Sequence, residues 1–325
     1  MTDGIFAGIM WALETVILGI ALQLSPFCTD AQAVFLAPFV STFLHDTVSA
    51  VCMWIYNLCK GNLKPVLRIC RHRICAAIVL ASVIGGPIGM TGYVLAVNNM
   101  GASAAAVASA VYPAVGAALA CVFLKEKMKP HQWIFLILTL IGVWGLSASP
   151  ELHMRNIPLG LTGAFMCAFG WGTEAVILAK FLKDPLVKNE YVLQIRQTVS
   201  ALCYGLILLP LLGGRRFTAS LFSWENHTLL LCIAAAALCG TVSYLFYYKA
   251  IAKVGAARAM ALNITYTAWA IVFSVVIAGD DSVLNPVTIV CAAAVVICGI
   301  LAAADFRSLF FGHEKAGRHD GTDCR

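Results

Sequence analysis

Ten long apolar runs separated by short polar connections take up nearly all of this chain: about 4–24, 32–58, 75–97, 102–124, 132–149, 158–180, 189–213, 227–251, 257–279 and 287–310. A helix needs roughly 20 apolar residues to cross the hydrocarbon core of a bilayer. The runs show no strict alternation, and backbone polar groups in lipid must be satisfied internally, so they predict helices and not a barrel. The expected fold is an all-α integral membrane protein with ten transmembrane helices. Composition supports this, because 12% charged residues is about half of what a soluble chain carries. A soluble enzyme or a nucleic-acid-binding module is excluded on that ground. The start, Met1-Thr2-Asp3-Gly4, lacks the cationic segment of a signal peptide, so the first run is expected to stay in the mature protein.

Orientation follows from the loop cations, which collect on the cytoplasmic side. With the N-terminus inside, the inner loops and tail hold 17 of the 22 lysines and arginines, from Lys60 and Lys64 through Lys125 and Lys183 to Arg325. The outer loops hold only Arg155, Arg215 and Arg216. Both termini are therefore expected in the cytoplasm, in a multi-pass cell-membrane protein. The net charge of +6 needs no nucleic-acid partner; the bilayer is the partner it implies.

The chain also repeats itself. Trp11-Ala12-Leu13-Glu14-Thr15-Val16-Ile17-Leu18 recurs as Trp171-Gly172-Thr173-Glu174-Ala175-Val176-Ile177-Leu178, identical at five of eight positions. A second register pairs Tyr93 with Tyr247, Ala96 with Ala250, Gly101 with Gly255 and Tyr112 with Tyr266. Each half then holds five helices, and an odd number inverts the second copy relative to the first. Such inverted repeats are typical of secondary transporters, with the substrate near the bilayer midplane between the copies. The expected division is 1–149 for the first repeat, 150–310 for the second, and a polar cytoplasmic tail at 311–325.

Segments three to five read Tyr93-x-x-Ala96, Val111-Tyr112-Pro113, Phe123-Leu124-Lys125-Glu126-Lys127, then Gly142-Val143 and Gly145. This resembles the EamA domain of the drug/metabolite transporter superfamily, over nearly the whole chain as two domains in tandem. The second copy departs from the pattern, with Thr267 where Pro113 would stand and Asp280-Asp281 in place of Glu126-Lys127. The resemblance implies a fold and a transport function, but not a substrate.

Substrate chemistry comes from the intramembrane charges, since an ionisable group near the bilayer centre costs roughly 2.5–3.5 kcal/mol and usually faces a cavity or a partner. Glu14 follows Trp11 by three residues and Glu174 follows Trp171 by three, so each pair shares a helix face. Packing alone is the competing explanation for the tryptophans. With Tyr93, Tyr112, Tyr247 and Tyr266 as symmetry mates, the expected cavity has aromatic walls and two carboxylates. Aromatic faces and a counter-charge suit a quaternary ammonium, which cannot donate conventional hydrogen bonds. Choline is the obvious small example, and the Trp-x-x-Glu box is similar to that of bacterial choline permeases in the same superfamily. An exporter of amino acids or other metabolites is the alternative within transport.

His45 and Asp46 are a further candidate pair for coupling transport to protons. Neighbours on a helix point about 100° apart, so only one of them is expected to look inward. Arg196 is expected to snorkel or to pair with an acid, and Lys249 to snorkel to the cytoplasmic interface. The sequence has no Walker A loop, nucleophile elbow or His-Glu-x-x-His, and its thirteen cysteines lie mostly in apolar runs without zinc spacing. No cofactor or metal is expected. An intramembrane enzyme or a lipid-handling protein is the competing class, resting on His45 and Asp46 alone, and a homodimer is compatible with either.

Overall fold

Within the described residues, most apolar runs become helices close to their expected positions. The structure, a computed structural model, describes residues 1–100, 108–147, 156–279 and 284–304, where every regular element is helical. Gly101, Arg155, Asp280, Asp281, Arg307 and the tail 311–325 lie outside the described residues. In chain order the helices are α1 (Thr2–Leu22), α2 (Ala31–Cys59), a short α3 (Leu63–Cys70) and α4 (Arg73–Met100). The first half ends with α5 (Tyr112–Phe123) and α6 (Pro130–Leu146). The second half holds α7 (Ile157–Phe181), α8 (Asn189–Leu211), α9 (His227–Val254), α10 (Ala256–Ile277) and α11 (Pro286–Ala303).

Ten crossings were expected. Among the described residues, eight helices are long and apolar enough to span a bilayer, while α5 and α6 are apolar but shorter. Part of the shortfall in α5 has a local cause. The helix is interrupted at Ala110–Val111 and restarts at Tyr112, where Pro113 in the first turn has no amide hydrogen to give to a preceding turn. The protein is a multi-pass membrane protein, and its outward surface carries exposed apolar side chains such as Phe123, Leu206 and Val290.

Helix ends are set by caps. Asp30 accepts from Gln32 N and Ala33 N at 2.8 and 2.9 Å to start α2, and Asn285 accepts from Thr288 N at 2.9 Å to start α11, with Pro286 following. Gly255, at φ +89°, turns the chain between α9 and α10. The Glu126 carboxylate then caps α10 from the other half, on Ala256 N at 3.1 Å and Ala257 N at 3.3 Å. Inside the helices, α4 widens to a π turn at Ile84–Ile88 around Pro87, and α8 does so at Tyr204–Leu208 ahead of Pro210.

The two halves interleave instead of packing side by side. Helix α1 packs on α9, and its repeat mate α7 packs on α4, so each copy's first helix lies against the other copy's third. The pairs α2–α8, α5–α10 and α6–α11 each join a helix to its own mate. At the α4–α7 crossing the backbones touch. A Cβ on Gly163 would meet Gly92 O at 2.5 Å and Ala96 N at 2.7 Å, so only glycine allows this approach. At the end of the bundle that holds the N-terminus, Asp3 Oδ2 lies 2.6 Å from Lys253 Nζ and Oδ1 lies 3.1 Å from Lys249 Nζ. The Lys249 side chain is part-exposed there, with an acid as partner.

Candidate functional site

Where the copies interleave, two cavities meet. The wider, about 390 Å³, is bordered by Leu18 and Leu22 near the end of α1 and by Pro38 and Thr42 in the first half of α2. It therefore lies toward the side opposite the N-terminus. The narrower chamber, about 40 Å³, is bordered by Tyr112, Glu174, Tyr247, Tyr248 and Asn263. Four aromatic residues, Trp11, Trp171, Tyr244 and Tyr266, line both. Glu14, His45, Asp46 and Tyr93 border the wide cavity, so the eight candidate binding residues and the His45–Asp46 pair all reach one space or the other.

Each tryptophan packs on tyrosines of the other copy, though Tyr244 stands beside Trp11 where the repeat would place Tyr247. The Trp11 ring packs on Tyr244 at 5.0 Å and Tyr266 at 6.2 Å, both from the second copy. The Trp171 ring packs on Tyr112 at 5.6 Å and Tyr93 at 6.0 Å, both from the first. Edge-on and tilted contacts of this kind hold ring faces in place without stacking them shut.

The charges do not keep the symmetry. Arg196 is 4% exposed, and each of its three nitrogens already donates: Nε to Glu174 Oε1 at 3.2 Å, Nη1 to Gln197 Oε1 at 2.7 Å and Nη2 to Tyr244 OH at 2.9 Å. Its Nη1 also lies 3.7 Å from Asp46 Oδ2, and its guanidinium carbon sits 4.5 Å from the centre of the Tyr244 ring. Glu174 receives a second donor, Tyr248 OH at 3.2 Å. Arg196 thus pairs with acids instead of snorkelling. Glu14, by contrast, meets only His45 among the described residues, its Oε1 3.0 Å from Nε2 in an ion-pair contact that is not a hydrogen bond, while its buried Oε2 has no donor among them.

One expectation is corrected. His45 and Asp46 both look into the wide cavity and touch each other, with Nδ1 2.9 Å from Oδ1. Their Cβ atoms diverge, but the imidazole carries nitrogens on two edges, so one edge reaches Glu14 and the other turns back to its neighbour. Glu14, His45, Asp46, Arg196 and Glu174 form one continuous buried chain of charge across both copies. Room for it comes from glycine. A Cβ on Gly240 of α9 would press on Glu14 Oε2 at 2.6 Å and His45 Nε2 at 2.7 Å, and Gly85 of α4 leaves the corresponding space for Glu174.

Both halves of the chain, residues 4–148 and 158–304, match the EamA-like transporter family. The chain belongs to that family. It is also 27% identical to protein LicB of Haemophilus influenzae over 268 residues, which are 82% of this chain and 85% of LicB. A solved crystal structure shares the fold at a TM-score of 0.72, with 17% identity over 93% of this chain and 95% of its own.

The sequence reading of this EamA-like transporter missed Tyr244, Tyr248 and Asn263. Tyr244, Tyr247 and Tyr248 are spaced i, i+3, i+4, which places them on one face of a membrane helix, and that signal was available. Asn263 carried a signal too, being an amide inside an apolar run at the repeat position of Ser109. In both copies the helix is interrupted just after this position and resumes at Tyr112 or Tyr266.

Proposed function

We propose that this EamA-family transporter is a secondary carrier of a small organic cation, with choline or a close quaternary ammonium as the favoured substrate. The observation that carries the reading is the junction of the two cavities. There the rings of Trp11, Trp171, Tyr244 and Tyr266 surround a space flanked by Glu14 on the wide side and Glu174 on the narrow side. Each ring face is worth about 0.5–2 kcal/mol to a desolvated cation. The resemblance to bacterial choline permeases points the same way, and protein LicB adds only distant kinship.

Arg196 argues against a carboxylate-bearing substrate such as an amino acid. Three of its five N–H donors are committed to Glu174, Gln197 and Tyr244, and Glu174 and Asp46 already supply it with two carboxylates, which weakens its pull on an incoming anion.

The repeats are read as inverted five-helix units, 1–149 and 150–310, with both termini in the cytoplasm. The wide cavity then faces outward. The ion pairs of Asp3 with Lys249 and Lys253, and Glu126 on the start of α10, close the inner end. Alternating access moves the cation past the Trp11–Trp171 junction when this arrangement reverses. The test is calorimetric binding of choline, betaine, amino acids and primary amines to the detergent-solubilised protein. Choline is expected to bind. Trp11→Ala and Trp171→Ala are expected to weaken it far more than they weaken a primary amine, which still hydrogen-bonds a carboxylate. Equal losses for the two ligands, or no choline binding by the wild type, would overturn the reading.

A further inference from the structure

The narrow chamber contains a group that a bare quaternary ammonium does not use. Asn263 is 5% exposed, and its Nδ2 donates to Tyr112 OH at 3.2 Å, while its buried Oδ1 accepts nothing from the described residues. A buried carbonyl oxygen left without a donor is costly, and native interiors seldom keep one without a purpose. The side chain borders the narrow chamber at the point where α10 is interrupted, between Asn263 and the restart at Tyr266. Broken membrane helices commonly form binding sites, because their freed polar groups face a cavity instead of lipid.

Size says which part of a ligand reaches Asn263. One water occupies about 10–15 Å³ on this measure of volume, so a chamber of about 40 Å³ admits a slim polar tail and not a trimethylammonium head. The head belongs at the junction, where the space widens between Trp11 and Trp171. We propose that Asn263 is the specificity-determining residue for a hydroxyl group on the cation, its Oδ1 accepting the hydroxyl proton. The favoured ligand class is then a quaternary ammonium with a hydroxyl on a short alkyl arm. A carboxylate in the same place would meet the Asn263 carbonyl oxygen and the Glu174 carboxylate, and would be rejected. This assignment rests on the organic-cation reading above.

The experiment compares choline with propyltrimethylammonium, which has the same shape but ends in a methyl group. Both are titrated calorimetrically into the full-length protein in detergent, alongside Asn263→Leu and Asn263→Asp. Wild type should bind choline about tenfold or more tightly than propyltrimethylammonium, the usual effect of leaving a buried acceptor unpaired. Asn263→Leu should remove that preference by weakening choline while propyltrimethylammonium holds or improves. Asn263→Asp, which keeps an acceptor, should keep the preference. Equal wild-type affinities would overturn the proposal while leaving the cation site standing, and this comparison needs no variant to fold. Equal losses of both ligands in Asn263→Leu would also overturn it, by showing that the amide only positions Tyr112. If neither cation binds the wild type, the cation reading itself fails, and that outcome is distinct from the others.

Discussion

His45 stands between two carboxylates from different helices, with Nε2 3.0 Å from Glu14 Oε1 and Nδ1 2.9 Å from Asp46 Oδ1. Together with Arg196 and Glu174, the cluster sets three acids against one guanidinium and one imidazole. With His45 protonated it carries one negative charge in excess, the complement of a single monovalent cation. The packing of α1, α2, α7 and α8 is tied to this balance, because the cluster bridges all four.

The first prediction concerns that bridge. His45→Leu leaves Asp46 with Arg196 but takes from Glu14 its one charged partner among the described residues, and an orphaned buried charge typically costs about 3–5 kcal/mol. The thermal midpoint in detergent should fall by several degrees. His45→Gln should recover part of the loss, since its amide still donates to one carboxylate. A midpoint unchanged by His45→Leu would show that the imidazole balances no charge.

A second prediction tests the α4–α7 crossing. A Cβ on Gly163 would contact Gly92 O and Ala96 N, which are backbone atoms that cannot rotate away. Gly163→Val should therefore abolish the monodisperse folded protein on size-exclusion chromatography. Gly19→Val, where no atom lies within 4 Å of the added Cβ, should be tolerated. Similar profiles for the two variants would mean that the helices separate freely at this point.

Fold and site were legible in the sequence to different depths. Helix positions followed from apolar length alone, since lipid leaves a buried backbone no other way to satisfy its polar groups. The repeat brought Trp11, Trp171, Tyr112 and Tyr266 to the reader's attention, and these do meet around shared cavities. The charge network was legible only as far as Arg196 pairing with an acid. That Arg196 engages Glu174 and Asp46, while Glu14 is left to His45, depends on how α2 and α8 cross, which no spacing within one helix encodes. The π turns in α4 and α8 were likewise hidden. Pro87 lies inside one and Pro210 follows the other, but α10 makes a third at Ser274–Ala278 without any proline, so no residue type announces them.

A third prediction concerns orientation. Seventeen of the cationic residues lie in loops assigned to the inside and three in loops assigned to the outside. A reporter that is active only in the cytoplasm should be active when fused after Arg325, and a reporter active only outside should be silent there. Moving the fusion into the connection at Arg215–Arg216 should reverse both signals. The opposite pattern would invert the protein and turn the wide cavity inward.

The last prediction is that Glu14 and Glu174 contribute differently to cation binding. Glu174 Oε1 is held by Arg196 Nε at 3.2 Å and Tyr248 OH at 3.2 Å, so its carboxylate is anchored with or without substrate. Glu14 has one contact among the described residues, His45, and a buried Oε2 without a donor, on a residue that borders the wide cavity. Glu14→Gln should therefore weaken choline binding with the smaller loss of stability, because the amide keeps the shape but not the counter-charge. Glu174→Gln should lower affinity and thermal stability together, by removing the acid at Arg196 Nε. Calorimetry and thermal midpoints on both variants check this. Reversed roles would give Glu174 the cation and Glu14 the structural task, and equal effects on both readouts would show that the two carboxylates are not told apart by their partners.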